Sequence, residues 1–175
     1  METSILEDKV IYEQLSEICD WLHKNLYYDG YLIRLLDLIG ATMVGVKPAE
    51  LLKIPISEGE RKNLALEELK IYFSRDKNIK LREIKKQNGR VQVLFYHSTS
   101  LENTLCNKTN LRFLRGLGYP FKDVLGYIGH PSLKLIKING WKIYGSEKLS
   151  NKRYESFLQA RTKVRELIYP LANYH

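Results

Sequence analysis

The sequence predicts an α+β fold, with several helices packed on a small antiparallel sheet made of two β-hairpins. Three observations lead there. Apolar residues recur every three or four positions in several segments, the spacing of a helix face. Two Asn-Gly dipeptides, Asn88-Gly89 and Asn139-Gly140, each sit between alternating segments, the signature of a tight hairpin. The 175 residues are 44% hydrophobic and 27% charged, enough apolar material for one domain with a real core and too much for a disordered chain.

Ser4-x-x-Glu7 is a capping box that opens a first helix running to about Leu26. Its buried stripe is Ile11, Leu15, Ile18, Leu22 and Leu26. A second helix, about Tyr31 to Met43, is apolar nearly all round and reads as the central core helix. The segment from Gly45 to Leu52 reads as a loop entering a short helix, with Pro48 in the first turn and Pro55 ending it. Ser57-x-x-Glu60 opens the next helix, to about Phe73.

In the first hairpin Val91, Val93 and Phe95 mark an inner strand, and the charged partner strand suits a solvent-exposed edge. In the second, a two-residue turn pairs Ile138 with Trp141 and Ile136 with Ile143 on one face, and Lys137 with Lys142 and Leu135 with Tyr144 on the other. Between the hairpins, Thr99-x-x-Glu102 suggests a helix start, and Leu111, Phe113, Leu114 and Leu117 a further turn or two. Pro120 starts a short helix to Ile128, and a last helix spans about Glu147 to Tyr169.

Several function classes lack their signatures. No phosphate-binding Gly-rich loop, dinucleotide fingerprint or nucleophile elbow occurs, and no Cys or His pair has metal-ligand spacing. No catalytic residue, metal site or cofactor is therefore assigned, and an enzyme is the less favoured reading. His97 beside Ser98 and Thr99 is more simply a strand-end residue than a base, and His130 before Pro131 a turn residue. The two cysteines, Cys19 and Cys106, read as unpaired, with Cys19 a small buried hydrophobe. No apolar run reaches the roughly 18 residues that cross a bilayer. The Met-Glu-Thr-Ser start lacks the basic and apolar stretches of a signal peptide. A cytoplasmic protein without a membrane partner is the default expectation.

The formal net charge of +8 favours anionic partners. Three basic clusters carry it: Lys80, Arg82, Lys85, Lys86 and Arg90 on the edge hairpin; Lys134, Lys137 and Lys142 interleaved with Trp141; and Arg161 and Arg165 on the last helix. Lysines beside aromatics on a ribbon suit phosphate contact and base stacking; a solvated sheet face is the competing account.

Gly118-Tyr119-Pro120-Phe121-Lys122-Asp123-Val124-Leu125-Gly126-Tyr127, followed by Gly140-Trp141-Lys142-Ile143-Tyr144-Gly145, resembles a bacterial group, the domain-of-unknown-function 3793 family. Gly45-Val46-Lys47-Pro48-Ala49-Glu50-Leu51 is similar to that family's Gly-x-Lys-Pro-Ala-x-Leu segment. Ile39-Gly40 stands where members often carry His-Cys, and Lys137 to Asn139 stand where members often show cysteines before the Trp-Lys block. The resemblance brings no established activity.

Three readings follow. The first is a non-catalytic binding protein gripping nucleic acid or a nucleoprotein complex through the basic clusters. The second is an enzyme or small-molecule binder at the Gly-Tyr-Pro loop, using Lys47, Tyr119, Asp123 and Tyr144. The third is a protein-interaction module such as an inhibitor or adaptor, of unknown oligomeric state.

Overall fold

The computed structural model describes residues 12–13, 15–18, 20–21 and 24 near the N-terminus, then 30–55, 60–99 and 117–172. The capping residues Ser4 and Glu7, the stripe residues Ile11, Leu22 and Leu26, both cysteines, Ser57, Glu102, and Leu111, Phe113 and Leu114 lie outside them. In chain order the elements are α1 (Gly30–Met43), β1 (Ala49–Pro55), α2 (Glu60–Arg75), β2 (Ile79–Gln87), β3 (Arg90–His97), α3 (Phe121–Tyr127), β4 (Leu135–Asn139), β5 (Trp141–Tyr144) and α4 (Lys148–Ala172). The arrangement is α+β, as the periodicities predict.

The two hairpins stand in separate sheets. Strands β1, β3 and β2 form one antiparallel sheet in that order, and β4 and β5 form a two-stranded ribbon. Strand β3 is central because Val91, Val93 and Phe95 project to one side, where each is fully buried. They meet Leu35, Leu36, Ile39, Leu69 and Phe73 from the helices, together with Leu15 and Ile18 from the N-terminal helical residues. The rings of Phe73 and Phe95 meet edge to face, 5.7 Å between centroids. Helix α4 lies along α1 and closes the core with Val164 and Ile168.

Strand β1 corrects the sequence reading, which made this segment a short helix. All seven of its residues pair with β3, from Ala49 opposite Tyr96 to Pro55 opposite Arg90. Between two prolines the segment has room for less than two helical turns, too few to offset nucleation. The open side of β3 offers hydrogen bonds to the whole stretch, and sheet context overrides a weak local preference. Pro55 sits at the end of an edge strand, where its missing N–H costs no ladder bond.

The first turn follows its sequence, with positive φ at Asn88 (52°) and Gly89 (65°), the pattern of a type I′ turn. The second does not. Only Gly140 turns positive, at 70°. Asn139 pairs with Trp141, Ile138 with Lys142 and Lys137 with Ile143. The expected register is therefore one residue out next to the turn, and a shift between Leu135 and Lys137 restores it at Leu135, which stands opposite Tyr144 as expected. A one-residue slip exchanges the faces of a strand. Lys137 thus lies on the half-buried side and Ile138 is left 70% exposed.

If the Phe73–Phe95 contact adds to simple burial, F73L and F95L will not be additive. Each should cost about 0.5–3 kcal/mol in urea unfolding. The double-mutant cycle should return about 0.5–1.5 kcal/mol of coupling. Strict additivity would reduce the ring pair to area alone.

Candidate functional site

Helix α3 begins at Pro120, whose fixed φ of −55° suits a helix start and whose ring removes an N–H that would be unpaired there. This places Asp123 in the first turn, 3% exposed, facing β5 and the start of α4. Its Oδ1 accepts from Lys122 Nζ at 2.6 Å and from the Tyr144 backbone N–H at 2.9 Å. Its Oδ2 accepts from Trp141 Nε1 at 2.9 Å and from Ser150 Oγ at 2.6 Å. Lys122 Nζ also donates to the Tyr144 carbonyl at 2.8 Å and to Ser150 Oγ at 2.7 Å. Burial alone would raise the Asp123 pKa. The bonds from Lys122, Ser150, the Tyr144 amide and Trp141 outweigh it and hold the carboxyl below its ordinary range.

This network is closed on itself. Four donors occupy the carboxylate, the three ammonium protons have three acceptors, and Ser150 gives one bond and takes one. The arrangement binds α3, β5 and α4 together and leaves no idle lone pair for proton transfer. Lys122 and Ser150 carry half of it, yet both are of types that usually mark solvated surface, and the sequence offered no signal for either.

The other family-like residues converge on the same place. Lys47 is 7% exposed, pairs with Glu50 at 2.7 Å and lies 5.5 Å from the Tyr119 ring centroid and 5.4 Å from that of Phe157. These are cation–π distances. Gly118, at φ +83°, has no room for a side chain, since a Cβ would stand 2.8 Å from Pro48 Cδ. Gly126 is equally constrained, with the Tyr144 ring 2.1 Å from where a Cβ would be. The Tyr119 ring packs on Trp141 at 5.2 Å, and Trp141 continues to Tyr154 and Phe157. Burial and the Glu50 charge push the Tyr119 phenol pKa up.

Of the four residues in the small-molecule reading, Tyr119 and Asp123 line a cavity of about 320 Å³ with Leu117, Val124, Tyr127, Trp141 and Lys142. Lys47 and Tyr144 pack behind it. His97 ends β3 with its backbone N–H on Pro48, and burial pulls its pKa below the usual histidine value. His130 Nδ1 accepts the Ser132 N–H at 3.3 Å, as a turn residue does.

The basic clusters separate. Arg161 and Arg165 both close on Asp37 of α1, with bonds of 3.0 Å from Arg161 Nη2 and from Arg165 Nε and Nη2. Lys137 pairs with Glu147, and Lys86 with Glu83 at 3.4 Å. Lys142 Nζ sits 5.7 Å from the Tyr127 ring centroid, and Lys134 is exposed. Trp141 is half-buried, with its N–H committed to Asp123 and its ring packed on Tyr119, Tyr154 and Phe157.

What remains together is one face of the three-stranded sheet. Lys80, Arg82, Lys85 and Gln87 stand opposite Tyr96, Leu94, Gln92 and Arg90, and Leu51 and Lys53 stand opposite Leu94 and Gln92. Directly opposed residues share a face. The two acids of these strands, Glu50 and Glu83, oppose Phe95 and Val93 and so fall on the other side. Lys53, Arg82, Lys85 and Arg90 are exposed and have no ion-pair partner among the described residues. A concavity of about 440 Å³ lies between Lys53, Lys85, Gln87, Asn88, Arg90 and Gln92. Lys53 was not in the sequence-based set, because the basic face exists only once β1 is a strand.

The closed network predicts an acid-sensitive stability term. A carboxyl whose folded pKa is depressed contributes fully above its unfolded value, and the contribution is lost as pH falls below about 4. D123N, which puts an amide donor against existing donors, should cost about 2–4 kcal/mol near neutral pH. The gap to wild type should narrow as pH falls through that range, measured by urea unfolding at stepped pH. A gap constant with pH would mean the carboxylate charge contributes nothing.

Residues 35–119 and 116–174 match the model of a family described as protein of unknown function, DUF3793. No curated protein and no solved structure matches the chain. The matched stretches hold the Lys47-Pro48 segment, the Gly-Tyr-Pro loop, the Asp123 network and the Trp-Lys ribbon, and the chain belongs to the DUF3793 family.

Proposed function

We propose that this protein is a non-catalytic binding protein for an anionic partner, nucleic acid or a nucleoprotein complex, engaged through the basic face of the three-stranded sheet. One observation carries the reading. Four exposed cations, Lys53, Arg82, Lys85 and Arg90, share a face that holds no strand carboxylate. Like charges left unpaired together cost stability that a structural role would not require, and a polyanion removes that cost. Gln87, Asn88 and Gln92 add amide groups within the same concavity, which suits hydrogen bonds to phosphate oxygens.

The contact chemistry favours the backbone over the bases. Of the aromatic residues beside the ribbon lysines, Trp141 bonds Asp123 through its indole N–H and the Tyr144 ring packs against Gly126. Arg161, Arg165, Lys86 and Lys137 have carboxylate partners of their own and stand outside the proposed contact. Binding of this kind is largely independent of sequence and strongly dependent on salt.

Fluorescence anisotropy with labelled single- and double-stranded RNA and DNA tests it. Affinity should fall steeply between about 50 and 200 mM salt, with a slope near 0.9 per duplex phosphate contact. K53E/K85E, at two exposed positions, should weaken binding at least about tenfold and lower the slope by about two contacts. K134E, away from the sheet, should bind as wild type does. No binding at low salt, or equal binding by K53E/K85E, would sink the reading.

A further inference from the structure

The cavity beside the Asp123 cluster has a chemistry unlike that of the basic sheet face. Leu117 and Val124, 5% and 2% exposed, form apolar wall, and the rings of Tyr119 and Trp141 form the flat remainder. Asp123 reaches the floor with every lone pair already taken by Lys122, Ser150, Tyr144 and Trp141. The Asp123 carboxylate therefore has no free lone pair to offer a ligand in the cavity. At the mouth stand Tyr127, 60% exposed, and Lys142, exposed and without a carboxylate partner among the described residues.

The walls ask for an apolar, planar body, and the mouth supplies one positive charge. A volume of about 320 Å³ is at the small end of ligand sites. The aromatic wall is also fixed in advance. Trp141 is held by its bond to Asp123 and by Tyr154 and Phe157 on its far side. Such a wall loses little freedom when a ligand arrives. We propose that this cavity binds a planar aromatic carboxylate of one or two rings, its ring against Trp141 and Tyr119 and its carboxylate toward Lys142.

The test compares 2-naphthoate with 2-naphthylmethanol, the same ring system with and without the charge, by isothermal titration calorimetry on the full chain. Naphthoate should bind about three- to fivefold tighter, the range for one partly exposed ion pair. K142Q should abolish that preference while leaving the alcohol unchanged, and Y127A should weaken both ligands. Both substitutions fall at exposed positions. In a W21F background Trp141 is the one remaining tryptophan of the two in the chain. Its hydrogen-bonded indole N–H resonance should shift on saturation and so report the location. K53E/K85E should leave naphthoate binding intact, which separates this site from the sheet face. Absence of saturable binding at millimolar ligand, an unmoved Trp141 resonance, or a preference that survives K142Q would each overturn the proposal.

Discussion

Burying a carboxylate in a protein interior is unfavourable by several kcal/mol unless donors replace the water it loses. Around Asp123 four donors do so, and three of them come from elements distant in sequence: Tyr144 and Trp141 on β5 and Ser150 on α4. Each element is placed by the need to satisfy one atom pair. The second hairpin shows the consequence. Its local sequence favours a two-residue Asn-Gly turn, but the Trp141 indole and the Tyr144 amide both have to reach Asp123. Next to the turn the ribbon is one residue out of that register, with Asn139 opposite Trp141, and it returns to it at Leu135 opposite Tyr144. Ile136 and Ile138 are left outside, 55% and 70% exposed. Strand β5 by itself carries both donors to Asp123, and hydrogen bonds to a charged group are roughly twice as strong as neutral ones.

How much was legible follows from the range of the forces involved. Helix α1, helix α4, the start of α3 at Pro120 and the Asn88-Gly89 turn depend on neighbours within a few residues, and the sequence shows all of them. Strand β1 depends on β3, some forty residues away, and its own residues mislead. Asp123 entered the small-molecule reading from its place beside the Gly-Tyr-Pro loop, in a first helical turn where carboxylates usually compensate the helix dipole. Its actual partners were not legible, since nothing marks Lys122 or Ser150 as buried. The Arg161 and Arg165 pair read as free charge for the same reason. Asp37 lies on another helix, and only the α1–α4 packing brings it within 3.0 Å.

The positive charge of the chain thus divides into two populations. One is internal bookkeeping: Arg161 and Arg165 on Asp37, Lys47 on Glu50, Lys122 on Asp123, and Lys70 on Glu67 and Glu83. Burial works against charge at Asp37, and the two guanidinium groups more than offset it, so its pKa is lowered. The other population is sorted by the pleat. Alternation along β1, β2 and β3 sends the acids toward the helices and the unpaired cations outward. A net charge of +8 could not foretell that division, because it counts both populations alike.

The family-like blocks divide in the same way. Gly118, Gly126, Pro48, Trp141, Tyr144 and Lys47 are all accounted for by close packing, stacking or ion pairing within the chain. A cluster that closes its own hydrogen bonds this completely is a scaffold, since any ligand reacting with it would have to break what holds three elements together. The proposed contacts fall on residues whose backbone the scaffold places but whose side-chain bonding it does not use. On the sheet these are Lys53, Arg82, Lys85 and Arg90. At the cavity mouth they are Tyr127 and Lys142, carried by α3 and β5, two of the three elements that Asp123 ties together. The buried carboxylate acts on the cavity through position alone, by keeping the aromatic wall and the single cation at a fixed separation.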